Sequence, residues 1–350
     1  MGYSNKFYAY FINLLIAQKK AKKYSYLTIL FSVILIVITF LLLFFYNANY
    51  LSRVYSLLFC YLSFSIIFLI LFRKTFKISF DIKYLIKSLN YCFPSIPEII
   101  IGLVNDNFDK SIIVKIKNIG TLGIYDISLR LSSFFKNLID VVLKVYVPEF
   151  MSLAGKGDKK QIKSMYNCVA FYISVSCLVV SYFSEEILFI FTSKSFYVAK
   201  YYIPLICISI LTNHLFSFIT RNQNMYAKKL LNNIPGSIIY LVINISLNIY
   251  AINSFGIYGA CAVLIISGII SSIVNLYLSN KVFYLSIKLL NIIMKIIYIS
   301  LFILPLYVIF YFEVDYFVGL IIKIILLFLF LTLFFKKEYL NQSTLNNLTK

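Results

Sequence analysis

The stretch LGIYDISLRLSSFFKNLIDVVLKVYV, Leu122 to Val147, reads as a membrane-crossing helix that carries its charges in a line. Asp126, Arg130, Ser133, Asn137, Asp140 and Lys144 follow one another at spacings of four, three, four, three and four, which at about 100° per residue collects them on one narrow face. The other faces carry Ile124, Leu129, Leu131, Phe134, Phe135, Leu138, Val141, Val142 and Val145. A charge at a bilayer centre costs roughly 2.5–3.5 kcal/mol on the lenient insertion scale, so Arg130, Lys136 and Asp140 together would cost about 8–10 kcal/mol against acyl chains. The stripe is therefore expected to face protein or a water-filled cavity. Asp126 with Arg130, Lys136 with Asp140 and Asp140 with Lys144 are i,i+4 pairs of opposite sign that would offset part of that cost.

Composition agrees with a membrane setting. Of 350 residues 61% are hydrophobic and 13% charged, and the apolar residues come in long runs, which excludes a soluble domain of this size. The net charge of +20 would suggest a nucleic-acid partner in a soluble chain; here the lysines report orientation instead, and no nucleic acid is expected. The six cysteines lie in or beside apolar runs with no CxxC spacing and read as small apolar residues. With one histidine and no His/Cys/carboxylate cluster, neither a metal nor a cofactor is expected. Met1 to Tyr26 lacks the short apolar core and small-residue cleavage site of a signal peptide.

Ten stretches approach the length needed to cross a hydrocarbon core of roughly 30 Å. They fall at about 27–46, 54–72, 89–106, 122–147, 166–183, 200–219, 233–252, 257–279, 290–311 and 316–335, giving an all-α, polytopic chain of about ten transmembrane helices. Threaded alternately from a cytoplasmic N-terminus, they place twenty-two basic residues on one side, among them Lys19, Lys20, Lys22, Lys23, Lys83, Lys87, Lys159, Lys160, Lys228 and Lys229. The other side holds six: Arg53, Lys110, Lys115, Lys117, Lys194 and Lys200. That asymmetry puts both termini in the cytoplasm.

Phe7 to Ala17 is aromatic and too short to span, so it reads either as an interfacial segment or as the second half of a membrane helix. The third stretch contains Pro94 and Pro97, and Glu98, Gly102, Asn105 and Asp109 recur at four, three and four, a second polar face beside a bent backbone. Irregular backbone in a membrane is tolerated where it lines a cavity, so two neighbouring polar faces predict one polar interior. Its candidate residues are Glu98, Asn105, Asp109, Asp126, Arg130, Lys136, Asn137 and Asp140.

Softer features follow. Pro148 is expected to end the charged helix, and Gly155 to Lys160 does not fit a phosphate loop and reads as a solvated turn. Ser184 to Lys200, with Glu185 and Glu186, is expected in the interface, and His214 beside Asn213 reads as a packed hydrogen-bonding residue in preference to a proton relay. Lys295 is near enough to a span end to snorkel; Lys323 lies deeper, with no account in the sequence. Gly123 and Gly256 each open a helix in a similar context, LGIY and FGIY, by turn chemistry or by repeat ancestry.

These motifs, in order, carry a resemblance. Pro94-Ser95-Ile96-Pro97, Asp109-Lys110-Ser111-Ile112-Ile113, Leu122-Gly123-Ile124-Tyr125-Asp126-Ile127-Ser128 and Val147-Pro148-Glu149-Phe150 resemble the start of the second half of the bacterial polysaccharide flippases. These are the O-antigen or O-unit translocases of the multidrug/oligosaccharidyl-lipid/polysaccharide exporter superfamily. Asn248-Ile249-Tyr250 followed by Phe255-Gly256-Ile257-Tyr258-Gly259-Ala260 is similar to that family's connection between its eleventh and twelfth spans.

The resemblance implies two helical bundles, the first incomplete: residues 1–88 as a two-span remnant, 89–289 as a complete six-helix bundle and 290–350 as two extra spans with a cytoplasmic tail. It further implies a multi-pass protein of the bacterial inner (plasma) membrane, with membrane lipid around it, that is either a fragment or split product or one that needs a partner chain to complete the first bundle. The implied function is that of a transporter and not an enzyme, flipping a polyprenyl diphosphate-linked oligosaccharide through a charged cavity. In it Arg130, assisted by Lys136, would contact phosphate or an acidic sugar, and Asp126, Asp140, Glu98 and Asp109 would balance those cations or couple transport to protons or sodium. Two alternatives stand beside it. A multidrug-type exporter of small cations would use the carboxylates and tolerate charge reversal at Arg130. A glycosyl polymerase or transferase would hold a metal diphosphate near Asp106, Asn107 and Asp109, but the longest outer segment, about 17 residues, is short for such an enzyme.

Overall fold

The computed structural model describes residues 2–17, 21–45, 50–72, 81–93, 96–312 and 314–334. Among them the chain is all-α, with thirteen α-helices and short 3-10 turns, and it folds into two compact units, Met1–Leu85 and Ile86–Lys350. Pro94, Ser95, Glu313 and several of the basic residues counted for orientation lie outside the described residues.

The first unit packs α1 (Gly2–Ala17), α2 (Ala21–Phe45) and α3 (Tyr50–Phe72) against one another. Its core is aromatic: Phe11, Phe31, Phe64 and Phe68 are buried together, Tyr8 stacks on Phe31 with centroids 4.5 Å apart, and Phe11 lies parallel to Phe68 at 5.3 Å. Offset and edge contacts of this kind add to the apolar burial. Thr39 Oγ1 and Ser56 Oγ, 2.8 Å apart, tie α2 to α3. Phe7 to Ala17 lies in α1, with Phe11 and Leu15 buried in this aromatic core.

A short exposed helix, α4 (Ile82–Cys92), contains the boundary between the two units and precedes α5 (Ile96–Ile116) of the second. The third span is thus shifted from the 89–106 expected. Pro97 occupies the second position of α5, where its missing N–H has no helical partner to lose, so it starts a helix where a kink was expected. Asn118 caps α6 (Ile119–Gly155), its side chain accepting from Thr121 N at 2.7 Å. At 37 residues α6 is about 55 Å long, and Pro148 lies inside it instead of ending it. Asp158 then caps α7 (Lys159–Tyr182) by accepting from Gln161 N at 3.0 Å.

Helix α8 (Ser184–Phe191), a 3-10 turn (Lys194–Tyr201), α9 (Ile203–Tyr226), α10 (Ile234–Phe255), α11 (Ile257–Val282), α12 (Leu289–Tyr311) and α13 (Tyr316–Phe334) follow. Gly256, at φ +60°, turns α10 into α11, a backbone state that a side chain disfavours; Gly123 lies within helical α6, so the two LGIY-like motifs do different work.

Eight described helices (α2, α3, α7 and α9 to α13) are long and apolar enough to cross a membrane. The other two expected spans, α5 and α6, carry the polar faces. Helices α5, α6, α7, α9, α11 and α10 pack in that order into a closed ring, with α6 also braced on α9. Helix α12 packs on α7 and α9, and α13 on α7 and α12, around a core that includes Phe135, Val169, Cys177, Leu211, Leu215 and Ile299.

The ion pairs of this unit explain Lys323. Its side chain is 3% exposed, and Nζ lies 2.8 Å from Glu186 Oε1 and 3.8 Å from Glu185 Oε2; Glu185 is in turn paired with Lys200 at 2.8 Å. The carboxylates of α8 thus turn inward, while Phe189, Ile190 and Phe191 remain exposed. Lys295 donates to Asn167 Oδ1 at 3.0 Å instead of reaching for a span end.

Candidate functional site

Inside the ring, α5, α6, α9, α10 and α11 leave a cavity of about 1010 Å³. One end lies where α5 begins, α9 ends and α10 begins, at Glu98, Arg221, Asn233 and Gly236. The other lies at Asp109, Lys110, Tyr125 and Ile206, backed by the buried cluster Ile112, Ile113, Ile252, Ile257 and Cys261. From Glu98 to Asp109 along α5 is roughly 16 Å at 1.5 Å per residue, about half of a bilayer's hydrocarbon thickness.

Three acids (Glu98, Asp109, Asp140) and three bases (Lys110, Lys136, Arg221) line the cavity, together with His214. Most are engaged. Arg221 Nη2 donates to Glu98 Oε1 at 3.0 Å, a bridge from α9 to α5. Asp109, 4% exposed, accepts from Asn248 Nδ2 at 2.7 Å and from the Tyr125 hydroxyl at 3.2 Å, so α5, α6 and α10 meet on one carboxylate. Asn248 Nδ2 also donates to Asn244 Oδ1. Lys110 Nζ donates to Asp126 Oδ1 at 2.7 Å, and His214 Nε2 stands 4.0 Å from Asp140 Oδ1 while Nδ1 meets the Ile210 carbonyl at 2.8 Å. Lys136 is exposed at the cavity wall and forms no ion pair among the described residues.

The rest of the wall is amide and hydroxyl. Asn105 Oδ1 and Asn275 Oδ1 are buried with no hydrogen-bond partner among the described residues, a state that costs about 1–3 kcal/mol per group when nothing fills it. Two glycines make room for such amides. A Cβ on Gly236 of α10 would overlap the Asn275 amide of α11, and one on Gly268 of α11 would lie 2.9 Å from Asn213 Oδ1 of α9.

Of the residues singled out from the sequence, Glu98, Asn105, Asp109, Lys136 and Asp140 line this cavity; Asp126, Arg130 and Asn137 lie outside its lining. On α6 the wall runs Tyr125, Leu129, Ser133, Lys136 and Asp140. At its Tyr125 end it is thus one residue, or about 100°, behind the predicted stripe, and it joins that stripe at Ser133 and Asp140. Arg130 is 74% exposed and donates through Nε to Asp126 Oδ2 at 2.6 Å, as the i,i+4 spacing anticipated. The other two anticipated pairs, of Asp140 with Lys136 and Lys144, are not formed among the described residues. The Asp106 side chain lies outside them.

The apolar run ends just before Arg221, so alternate threading puts it in a cytoplasmic segment, yet α9 continues to Tyr226 and carries it into the wall. Asn213 and Asn275 are single amides in apolar runs, a signal that only the facing glycines Gly236 and Gly268 would have sharpened. Among the described residues no group of three or more His, Cys, Asp or Glu is placed to hold a metal ion.

A helical bundle of many membrane-spanning segments around a charged and amide-lined cavity defines the class: a multi-pass membrane protein with a polar interior. The profile of the polysaccharide biosynthesis protein family matches residues 11–194, more than half of the chain, and the chain belongs to that family. Among solved structures it is similar to the lipid II flippase MurJ in an inward closed conformation, with a TM-score of 0.58 and 19% identity over 87% of this chain. The match spans 66% of that flippase, just under two thirds of its length. No curated protein sequence matches significantly.

Proposed function

We propose that this protein moves a lipid-linked oligosaccharide across the bacterial inner membrane, its sugar headgroup passing through the cavity of the second unit and its polyprenyl chain staying in lipid. The observation that carries the reading is the cavity itself, about 1010 Å³ of polar space inside a membrane bundle of a polysaccharide biosynthesis family. A glycan diphosphate cannot enter hydrocarbon without losing its hydration, so its transfer needs a hydrated path with polar partners along it. The cavity reaches about half-way through the bilayer from the end carrying Glu98 and Arg221 and stops at the buried Asp109 cluster. A path of that shape suits alternating access, in which the closed end opens once the first has shut.

The lysines near that first end, Lys87, Lys228 and Lys229, support a cytoplasmic side for it, and the basic asymmetry of the sequence supports the same side for both termini. Lys136 is the lining cation free to meet a diphosphate; Arg130, outside the lining and paired through Nε with Asp126, is exposed on the flank of the same helix. No covalent chemistry is needed: the protein only binds and reorients its cargo. A partner chain supplying further helices beside the first unit belongs to the same proposal.

The test is surface glycan display in cells lacking this protein, with and without its re-expression. Restoration by the native chain and failure of a Lys136→Glu variant of equal abundance is the expected result. Accumulation of unpolymerised glycan already at the outer face of the deleted cells would overturn the reading in favour of a polymerase.

A further inference from the structure

The charges in the cavity wall cancel. Its three acids and three bases include one closed ion pair, Glu98 with Arg221, while Lys110 is held by Asp126 from outside the wall and Asp109 is wrapped by Tyr125 and Asn248. An acidic sugar entering this space would find one uncommitted base, Lys136 at the wall, beside the carboxylates Asp109 and Asp140. Such an interior has no excess of positive charge with which to collect added anions.

The unfilled valences are of another kind. Asn105 and Asn275 each bury an amide oxygen with no partner, on helices α5 and α11 and so on different walls of one cavity. Gly236 admits the Asn275 amide and Gly268 the Asn213 amide, so these side chains rest in notches that a single added methyl would fill. Tyr240 and Ser272 line the same cavity. A carboxamide offers both donors and an acceptor, the complement of vicinal hydroxyls and of an acetamido group, and it carries no net charge with which to hold an anion. The volume is at the upper end of the roughly 300–1,000 Å³ that encloses a drug-sized ligand, which leaves room for more than one sugar ring.

We infer that this amide-lined interior is a subsite for an uncharged glycan, built on Asn105, Asn213 and Asn275, that favours neutral hexoses and N-acetylhexosamines over uronic or other acidic sugars. The inference rests on the flippase reading and narrows its cargo: the diphosphate stays at the rim, where Lys136 is exposed, and the neutral sugars fill the space beyond it.

The test measures binding of four probes to the full chain in nanodiscs: a polyprenol, its diphosphate, the diphosphate carrying an N-acetylhexosamine, and the diphosphate carrying a hexuronic acid. The expected order is tightest binding for the N-acetylhexosamine probe, about tenfold tighter than the bare diphosphate, which is the size of one or two recovered hydrogen bonds. The uronic acid probe is expected to gain nothing. Asn105→Leu and Asn275→Leu should each remove most of the neutral-sugar gain while leaving the bare diphosphate unchanged, which also shows that the variant is folded. Should one of the two variants not fold, the other carries the comparison.

Equal or tighter binding of the uronic acid probe, or a neutral-sugar gain that survives both substitutions, overturns the subsite. No preference for any diphosphate probe over the polyprenol defeats the flippase reading itself, and the subsite with it.

Discussion

Replacing Lys323 by Met tests whether an intramembrane charge here is anchorage. The ammonium is buried on α13, 2.8 Å from Glu186 of α8, and the second oxygen of Glu186 is buried without a partner. Glu185 keeps Lys200 at 2.8 Å when Lys323 is gone, so the damage falls on Glu186, which is left as an uncompensated buried carboxylate. Breaking one side of a buried pair costs about 3–5 kcal/mol, whereas replacing both sides by groups of similar shape is often close to neutral. Lys323→Met should therefore lower the melting temperature of the purified protein by several degrees, and Lys323→Met with Glu186→Gln should recover most of the loss. The assay is thermal unfolding of the four members of that double-mutant cycle in one detergent, with a coupling of about 2–3 kcal/mol expected between contacting residues. Additive losses, with the double variant the least stable of all, would refute the argument that the pair acts as one anchor.

Other expectations follow from the cavity. Exchanging the Glu98–Arg221 bridge should behave reciprocally: Glu98→Arg or Arg221→Glu alone reduces glycan display at least tenfold, and the combined swap restores part of it, since the 3.0 Å contact joins α5 to α9 at the cavity mouth. Asp109→Leu leaves the Tyr125 hydroxyl and the Asn248 amide facing an apolar group and should cost about 2–4 kcal/mol of stability, visible as reduced abundance in membranes and a lower melting temperature. Gly236→Val should displace the Asn275 amide and destabilise the α10–α11 contact by about 1–3 kcal/mol, read as a melting shift, while Gly102→Val, with open space around its Cβ, should leave the melting temperature nearly unchanged.

Much of this architecture could be read from residues alone. Apolar run lengths place eight spans because nothing but lipid or a bundle core accepts such surfaces, and the spacing of charges on α6 and of polar residues on α5 marked two neighbouring helices of the cavity wall. What escaped the sequence is orientation at the level of one residue. A stripe two residues wide does not say which of its edges faces inward, so Lys136 and Asp140 enter the wall while Arg130 and Asn137 fall outside its lining. Helix ends were the other loss. Pro148 reads as a terminator, yet a long helix absorbs the missing hydrogen bond, and Arg221 reads as a loop cation although its helix continues for five more residues. The partner of Lys323 was beyond reach because Glu186 is 137 residues away in the chain.

The most direct measurement is photocrosslinking in living, glycan-producing cells, with a photoreactive phenylalanine analogue placed at Ser133 or Ser217, which line the cavity, and at Phe134, which is exposed beside it on α6. Covalent capture of the lipid-linked glycan from Ser133 and Ser217, with little from Phe134, is the result this account predicts. Capture from Phe134 alone, with none from the two wall positions, would contradict it.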